Sequence, residues 1–267
     1  MRPRPDQATT EPHRHRARQE SAVVPAAPAP ASRLVVAVDG PSGSGKSSTA
    51  RGVARALGLR YLDTGAMYRA VTWALLQAGV SVDDPDAVAT AAAGVVTASG
   101  TDPAAPTIHA DGVDVSQPIR SPEVTAAVSA VSAVRQVRSQ LVEVQRRLVG
   151  DGGVVVEGRD IGSVVLPDAP VKVFLTADNR ARARRRTAQD GGADSTRDAT
   201  AADLARRDRL DTSRTVSPLA VAPDAVVIDT TTLSLSDAVD AVVALARAAQ
   251  QRAGDEGPAR PEDGGVP

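Results

Sequence analysis

The sequence predicts an α/β fold: a five-stranded parallel sheet covered by helices, with a small lobe inserted at one edge. Three observations carry that expectation. Short, nearly all-apolar runs rich in β-branched residues alternate with longer Ala- and Leu-rich segments, as strands buried on both faces and joined by covering helices do. The first of these runs leads into a glycine-rich loop that opens a helical segment. Between Val80 and Arg120 the alternation breaks, and Asp111-Gly112 flanked by alternating residues reads as a tight β-hairpin.

Taken in order, residues 1–32 are rich in Pro, Ala and Arg and follow neither a helical nor a strand period. They cannot bury enough apolar area to offset their conformational entropy and are expected to be disordered. The basic run from His13 to Arg18 within them reads as solvated. Strands are expected at 34–39, 61–63, 154–157, 171–175 and 225–229, all buried on both faces, and helices at 46–57, 65–78, 135–148, 179–189, 201–211 and 234–249. Residues 83–120 hold the hairpin and are expected to form a lobe that can close over a ligand. In residues 180–214 the arginines are interleaved by Asp190, Asp194, Asp198, Asp203, Asp208 and Asp211, which suits a folded mobile element better than a polyanion binder. Residues 252–267 have the same character as the first tail and are set aside as a second one, leaving 33–251 as one domain.

Composition excludes several functions. The chain of 267 residues is 42% hydrophobic and 24% charged with a formal net charge of -1, which suits one soluble domain and gives no global drive toward nucleic acid or an anionic membrane. Its zero cysteines remove disulfides, thiolate nucleophiles and zinc–thiolate sites, and the three histidines, His13, His15 and His109, have no metal-ligand spacing outside the tail. No apolar run reaches the roughly 18 to 20 residues of a membrane span, nor does the N-terminus carry the apolar core of a signal peptide, so the expected address is the cytoplasm.

The strongest motif is Gly40-Pro-Ser-Gly-Ser-Gly-Lys-Ser47, a full G-x-x-x-x-G-K-S between an apolar strand and a helix. Gly40, Gly43 and Gly45 permit backbone conformations that let successive N–H groups converge on phosphate oxygens, and the helix N-terminus adds its partial positive charge. Lys46 supplies a point charge for the β- and γ-phosphates, and the Ser47 hydroxyl can ligand Mg²⁺. Lys46 and Lys172 are the chain's only lysines, so the residue type is avoided nearly everywhere except at the phosphate-contacting position. No N-K-x-D element accompanies the loop, which argues against a GTPase. A kinase for a small acceptor also needs a second anion site, for which arginines serve best because their planar donors clamp bidentately. Arg69, after the second strand, and Arg159, after the third, stand at the carboxyl edge of the sheet, where open α/β folds bind ligands.

The set VDGPSGSGKS, YLDTGAMYR, VVVEGRDIGSVVLPDAPVKVFL and RRDRLDTSRTVSPL resembles the bacterial cytidylate kinases, which are nucleoside monophosphate kinases, in order and spacing from about Leu34 to about Arg247. The resemblance implies a P-loop kinase fold in which the hairpin lobe binds the nucleoside monophosphate and the arginine-rich stretch is a mobile lid. It implies transfer of the γ-phosphoryl group of ATP to CMP or dCMP with Mg²⁺, by a monomer. Gly40, Pro41, Ser42, Gly43, Ser44, Gly45, Lys46, Ser47 and Ser48 would hold the donor, with Arg185 near its phosphates. Thr64 and Arg69 would sit at the acceptor, Arg69, Arg159 and Arg214 on the acceptor phosphate and the transferring group, and Arg207 and Asp211 on the sugar. Ser129, Arg138 and Asp160 would read cytosine, and that assignment is chemically consistent: the N4 amine donates, and N3 and O2 accept. Lys46, Arg159 and Arg214 are the expected catalytic residues, and no general base is required because the acceptor is already an anion. Two alternatives stay open on the residues alone, a P-loop kinase for UMP, AMP or shikimate and a non-catalytic ATP-binding regulatory module.

Overall fold

The central strand is β1 (Val35–Asp39), and its five apolar or terminal-acid residues feed the glycine-rich loop and then α1 (Lys46–Leu57). The chain continues through β2 (Arg60–Asp63), α2 (Thr64–Gln77), α3 (Pro85–Ala92), β3 (Thr97–Ser99), β4 (Ile108–Ala110), β5 (Val113–Asp114), α4 (Pro122–Ala133), α5 (Arg135–Val149) and β6 (Val154–Glu157). A π-helical turn at Ile161–Val165 precedes β7 (Val171–Thr176), α6 (Asn179–Gln189), α7 (Arg197–Thr212), β8 (Val226–Asp229) and α8 (Leu235–Asp255). This computed structural model describes residues 33–189, 197–214 and 217–255, with backbone alone at 189 and 197. The expected tail at 1–32, most of the one at 252–267, and Asp190, Gly191, Gly192 and Asp194 lie outside the described residues.

β1, β2, β6, β7 and β8 form one parallel sheet in the order β2-β6-β1-β7-β8. The period-2 alternation explains its two cores. Val154 and Val156 face α2 and α5 with Leu62, Met67, Leu75 and Leu141, whereas Val155 faces α1 and α8 with Val36, Val53, Val173 and Val242. Register then puts the acidic strand ends level, Asp63 beside Glu157 and Val38 beside Glu157, at the carboxyl edge.

The inserted region holds the expected hairpin, β4 and β5 joined at Asp111 and Gly112, both at positive φ as a two-residue turn of this hand requires. β3 pairs with β4 as a third antiparallel strand that the sequence pattern does not announce. The lobe is tied to the core, because the Thr101 carbonyl accepts from the Tyr61 N–H at 2.8 Å and Arg51 donates to the Pro103 carbonyl at 3.0 Å. α3 and α4 are also unannounced, since Val, Ser and Thr dilute the helical pattern. Their caps are nevertheless conventional: Asp84 and Ser121 accept from the first-turn N–H groups, each followed by Pro. One expectation needs correction. β8 is not buried on both faces: Val226 and Val227, which point to opposite faces, are 44% and 53% exposed, because it is the edge strand with a neighbour only in β7.

Candidate active site

Tight backbone approach shapes the phosphate loop. Gly40 has φ +145°, and a Cβ there would sit 2.1 Å from the Leu175 carbonyl oxygen, so only glycine lets the loop leave β1 beside β7. Gly45 caps α1 in the left-handed region, leaving the N–H groups of the first helical turn directed into the loop. Lys46, the first residue of α1, is buried, and its Nζ donates to the Pro41 carbonyl at 2.7 Å. Burial, then the Arg159 charge, lowers its pKa.

A cleft of about 610 Å³ opens along this loop at the carboxyl edge of the sheet. It brings together Lys46 and Ser47 with Ser42, Gly43, Gly45 and Ser48, and across from them Thr64, Arg69, Ser129, Arg138, Arg159, Asp160, Arg207, Asp211 and Arg214. Those positions come from the loop and α1, from α2, α4, α5 and α7, and from the segments after β6 and after α7. Gly40, Pro41, Ser44 and Arg185 do not line it. Ser44 and Arg185 border a second hollow of about 310 Å³ on the other side of the loop, with Thr230, Leu233 and Leu235. There the Arg185 guanidinium donates to the Thr230 hydroxyl at 2.9 Å and to the Thr230 carbonyl.

Within the cleft the charged groups are arranged in pairs. Arg138 donates to Asp160 at 2.5 Å and to the Ser132 carbonyl at 3.0 Å, and its guanidinium lies 5.3 Å over the Tyr68 ring. Both members of this ion pair are buried, which fixes one acceptor and one planar donor at a set spacing, and Ser129 is buried beside them on α4. Asp211 accepts from Arg159 Nε at 3.0 Å and from Arg214, while Arg159 also reaches the Gly40 carbonyl at 3.1 Å. Burial works against the Asp211 anion, yet the Arg159 and Arg214 charges hold its carboxyl below the usual range. Arg69 donates to the Ile119 carbonyl and the Thr125 hydroxyl, and burial, reinforced by Arg207 and Arg186, pushes it down to about 9.

Sequence reasoning missed several lining residues. Arg186 lines the cleft where Arg185, its neighbour on α6, does not. Ser132 accepts from Arg214 at 2.9 Å. Glu157 ends β6 against the loop, 3% exposed, with Oε1 accepting from the Tyr61 hydroxyl at 2.6 Å and Oε2 making no close hydrogen bond among the described residues, with Ser47 nearby. Its pKa is raised by burial, then by Asp63 beside it. An apolar strand ending in a carboxylate next to the phosphate-loop strand was the available signal for it.

The family model for cytidylate kinase matches residues 36–248. The chain is 56% identical over 218 residues to the cytidylate kinase of Streptomyces griseus, covering 80% of this chain and 93% of that one. It is 54% identical over 239 residues to that of Streptomyces coelicolor, covering 88% and 99%, and 53% identical over 219 residues to that of Mycolicibacterium paratuberculosis, covering 81% and 96%.

Proposed function

The chain belongs to the cytidylate kinase family, and from that we propose that it transfers the γ-phosphoryl group of ATP to CMP or dCMP, giving ADP and CDP or dCDP. The observation that carries the reading is the meeting, in one cleft, of a phosphate loop, three arginines across from it and a buried Arg138–Asp160 pair.

The donor phosphates lie on the loop N–H groups with Lys46, and the hollow bordered by Arg185 and Thr230 takes the donor base. Arg69, Arg159 and Arg214 take the acceptor phosphate and the transferring group, Asp211 and Arg207 meet the sugar, and Thr64 stands at the loop's far side. The acceptor oxygen is anionic already, so alignment and charge neutralisation do the chemistry without a base. Cytosine donates its N4 amine to Asp160 and Ser129 and accepts at N3 and O2 from Arg138, whereas uracil sets a carbonyl against the Asp160 carboxylate. Residues 33–251 act as the catalytic unit, 83–120 as the acceptor lobe and 180–214 as a closing lid that keeps water from ATP. Mg²⁺ suits this site, because Ser47 offers a hydroxyl and Glu157 a buried carboxylate oxygen with no close hydrogen bond among the described residues. Bound there, it would neutralise charge shared by the β- and γ-phosphates. No helix among the described residues is long and apolar enough to cross a membrane; a cytoplasmic monomer is the proposed state.

The test is ADP formation from ATP and Mg²⁺ against CMP, dCMP, UMP, AMP, GMP and shikimate. Turnover confined mainly to CMP and dCMP is expected. Equal turnover with UMP would discard the base-reading assignment, and none with any acceptor would discard the activity.

A further inference from the structure

Glu157 leaves a question about what holds its carboxylate in place. Its neighbour across the register is Asp63, a like charge, so Coulomb repulsion alone would turn the carboxylate away from that edge. The Lys46 charge pulls the other way, as do the Tyr61 and Ser47 hydroxyls, and of these Tyr61 holds one oxygen at a defined distance. Tyr61 is paired with Val155, two residues before Glu157 and on the same face of the sheet, and its ring therefore runs along the strand toward the carboxylate. The ring is clamped: it is 1% exposed, packed among the α1 and α8 residues, and its backbone N–H is held by Thr101 of the inserted lobe. From that fixed position the hydroxyl donates to Oε1 at 2.6 Å, which leaves the buried Oε2 as the remaining oxygen of a side chain that lines the cleft with Lys46 and Ser47.

We propose that Tyr61 is a positioning residue for the donor site: its hydroxyl occupies one oxygen of Glu157 so that the other faces the divalent cation accompanying the donor phosphates. Tyr61 touches neither substrate and acts only through Glu157. The inference rests on the reading of the phosphate loop as the donor site. It also gives the inserted lobe a second role, because the Thr101 contact that anchors it fixes the strand carrying Tyr61.

The experiment is calorimetric binding of ADP to the full chain, with and without Mg²⁺, for the wild type, Tyr61→Phe, Glu157→Gln and the double variant. Tyr61→Phe keeps the ring and its packing and removes only the donor. It is expected to weaken binding of ADP with Mg²⁺ by roughly ten- to a hundredfold, the value of one hydrogen bond to a charged group, and to leave metal-free ADP binding unchanged. In the Glu157→Gln background the Tyr61→Phe substitution should have little further effect, since the two residues act as one unit. Wild-type metal dependence retained in Tyr61→Phe would overturn the assignment, as would an equal loss with and without metal, which marks a general packing role. A wild type that binds ADP no better with Mg²⁺ than without it would overturn the donor-site reading itself, a different failure. Should Tyr61→Phe fold poorly, Glu157→Asp serves instead: the shorter carboxylate withdraws from the hydroxyl and must show the same metal-specific loss.

Discussion

Lys46 carries charge into a place that resists it, buried on the first turn of α1 and bonded only to a backbone carbonyl. On the proposed reading its contribution is made when phosphate arrives. Lys46→Ala should lower kcat by on the order of a thousandfold while the thermal midpoint stays near wild type, measured by coupled ADP assay and calorimetric melting. The Arg138–Asp160 pair is different in kind, because its members neutralise each other before any base binds. Asp160→Asn should raise the preference for UMP over CMP by roughly five- to a hundredfold, from the cost of about 1 to 3 kcal/mol for a mispaired buried group. The readout is the ratio of kcat/KM for the two acceptors, which is insensitive to the stability also lost when a buried charge is left unpaired. An unchanged ratio would remove Asp160 from base reading. Lys46 was legible in the phosphate-loop motif and Arg138 and Asp160 through the family resemblance, whereas Tyr68 and Ser132 were not: they declare themselves only through what stands opposite them.

At the scale of elements, Asp39 closes β1 and its carboxylate accepts from the Ile161 and Gly162 N–H groups at 2.9 and 2.8 Å, anchoring the π-helical turn after β6. Burial pushes its pKa from 3.8 up to about 6 in spite of those two donors. The folded state thus holds the proton more tightly than the unfolded one, and Asp39's contribution to stability falls as pH rises from about 4 to about 6 and is level above. Relative to Asp39→Asn, the wild type should be more favoured at pH 4 than at pH 7; melting temperatures of the two across that range decide it, and parallel curves would refute the shift. Helix packing supplies a second expectation. Gly52 lets α1 meet α8 closely, and a Cβ there would lie 2.5 Å from Val239 Cγ2. Gly52→Ala should cost about 1 to 3 kcal/mol by urea unfolding, despite Ala's better helix propensity. The strands and the bounds of α1 and α6 could be read from periodicity, because burial on both faces or on one stripe leaves a pattern. α3, α4 and β3 could not, being short or diluted by Ser and Thr and held by contacts across the lobe.

Over the whole molecule the charge is nearly balanced, a formal net of -1, but the cleft is not. Among the described residues nine cationic side chains line it, Lys46 and eight arginines, against Asp63, Glu157, Asp160 and Asp211. Such a local excess draws in anionic nucleotides and is screened by salt, so KM for CMP should rise several-fold between about 20 mM and 300 mM KCl with kcat less affected. A flat KM would mean that the arginines are neutralised within the fold. Residue type and spacing alone specify the α/β class, the phosphate loop and the strand-end arginines Arg69 and Arg159, because strand burial, a glycine-dependent backbone and fixed charge are local properties; Arg138, Arg207 and Arg214 were reached through the family resemblance. Only the tertiary structure decided which of these meet: Arg186 rather than Arg185 in the cleft, β8 as an exposed edge, and Asp211 joining Arg159 to Arg214. Those are facts of register and helix rotation, set when separate segments pack, and no single stretch of chain contains them.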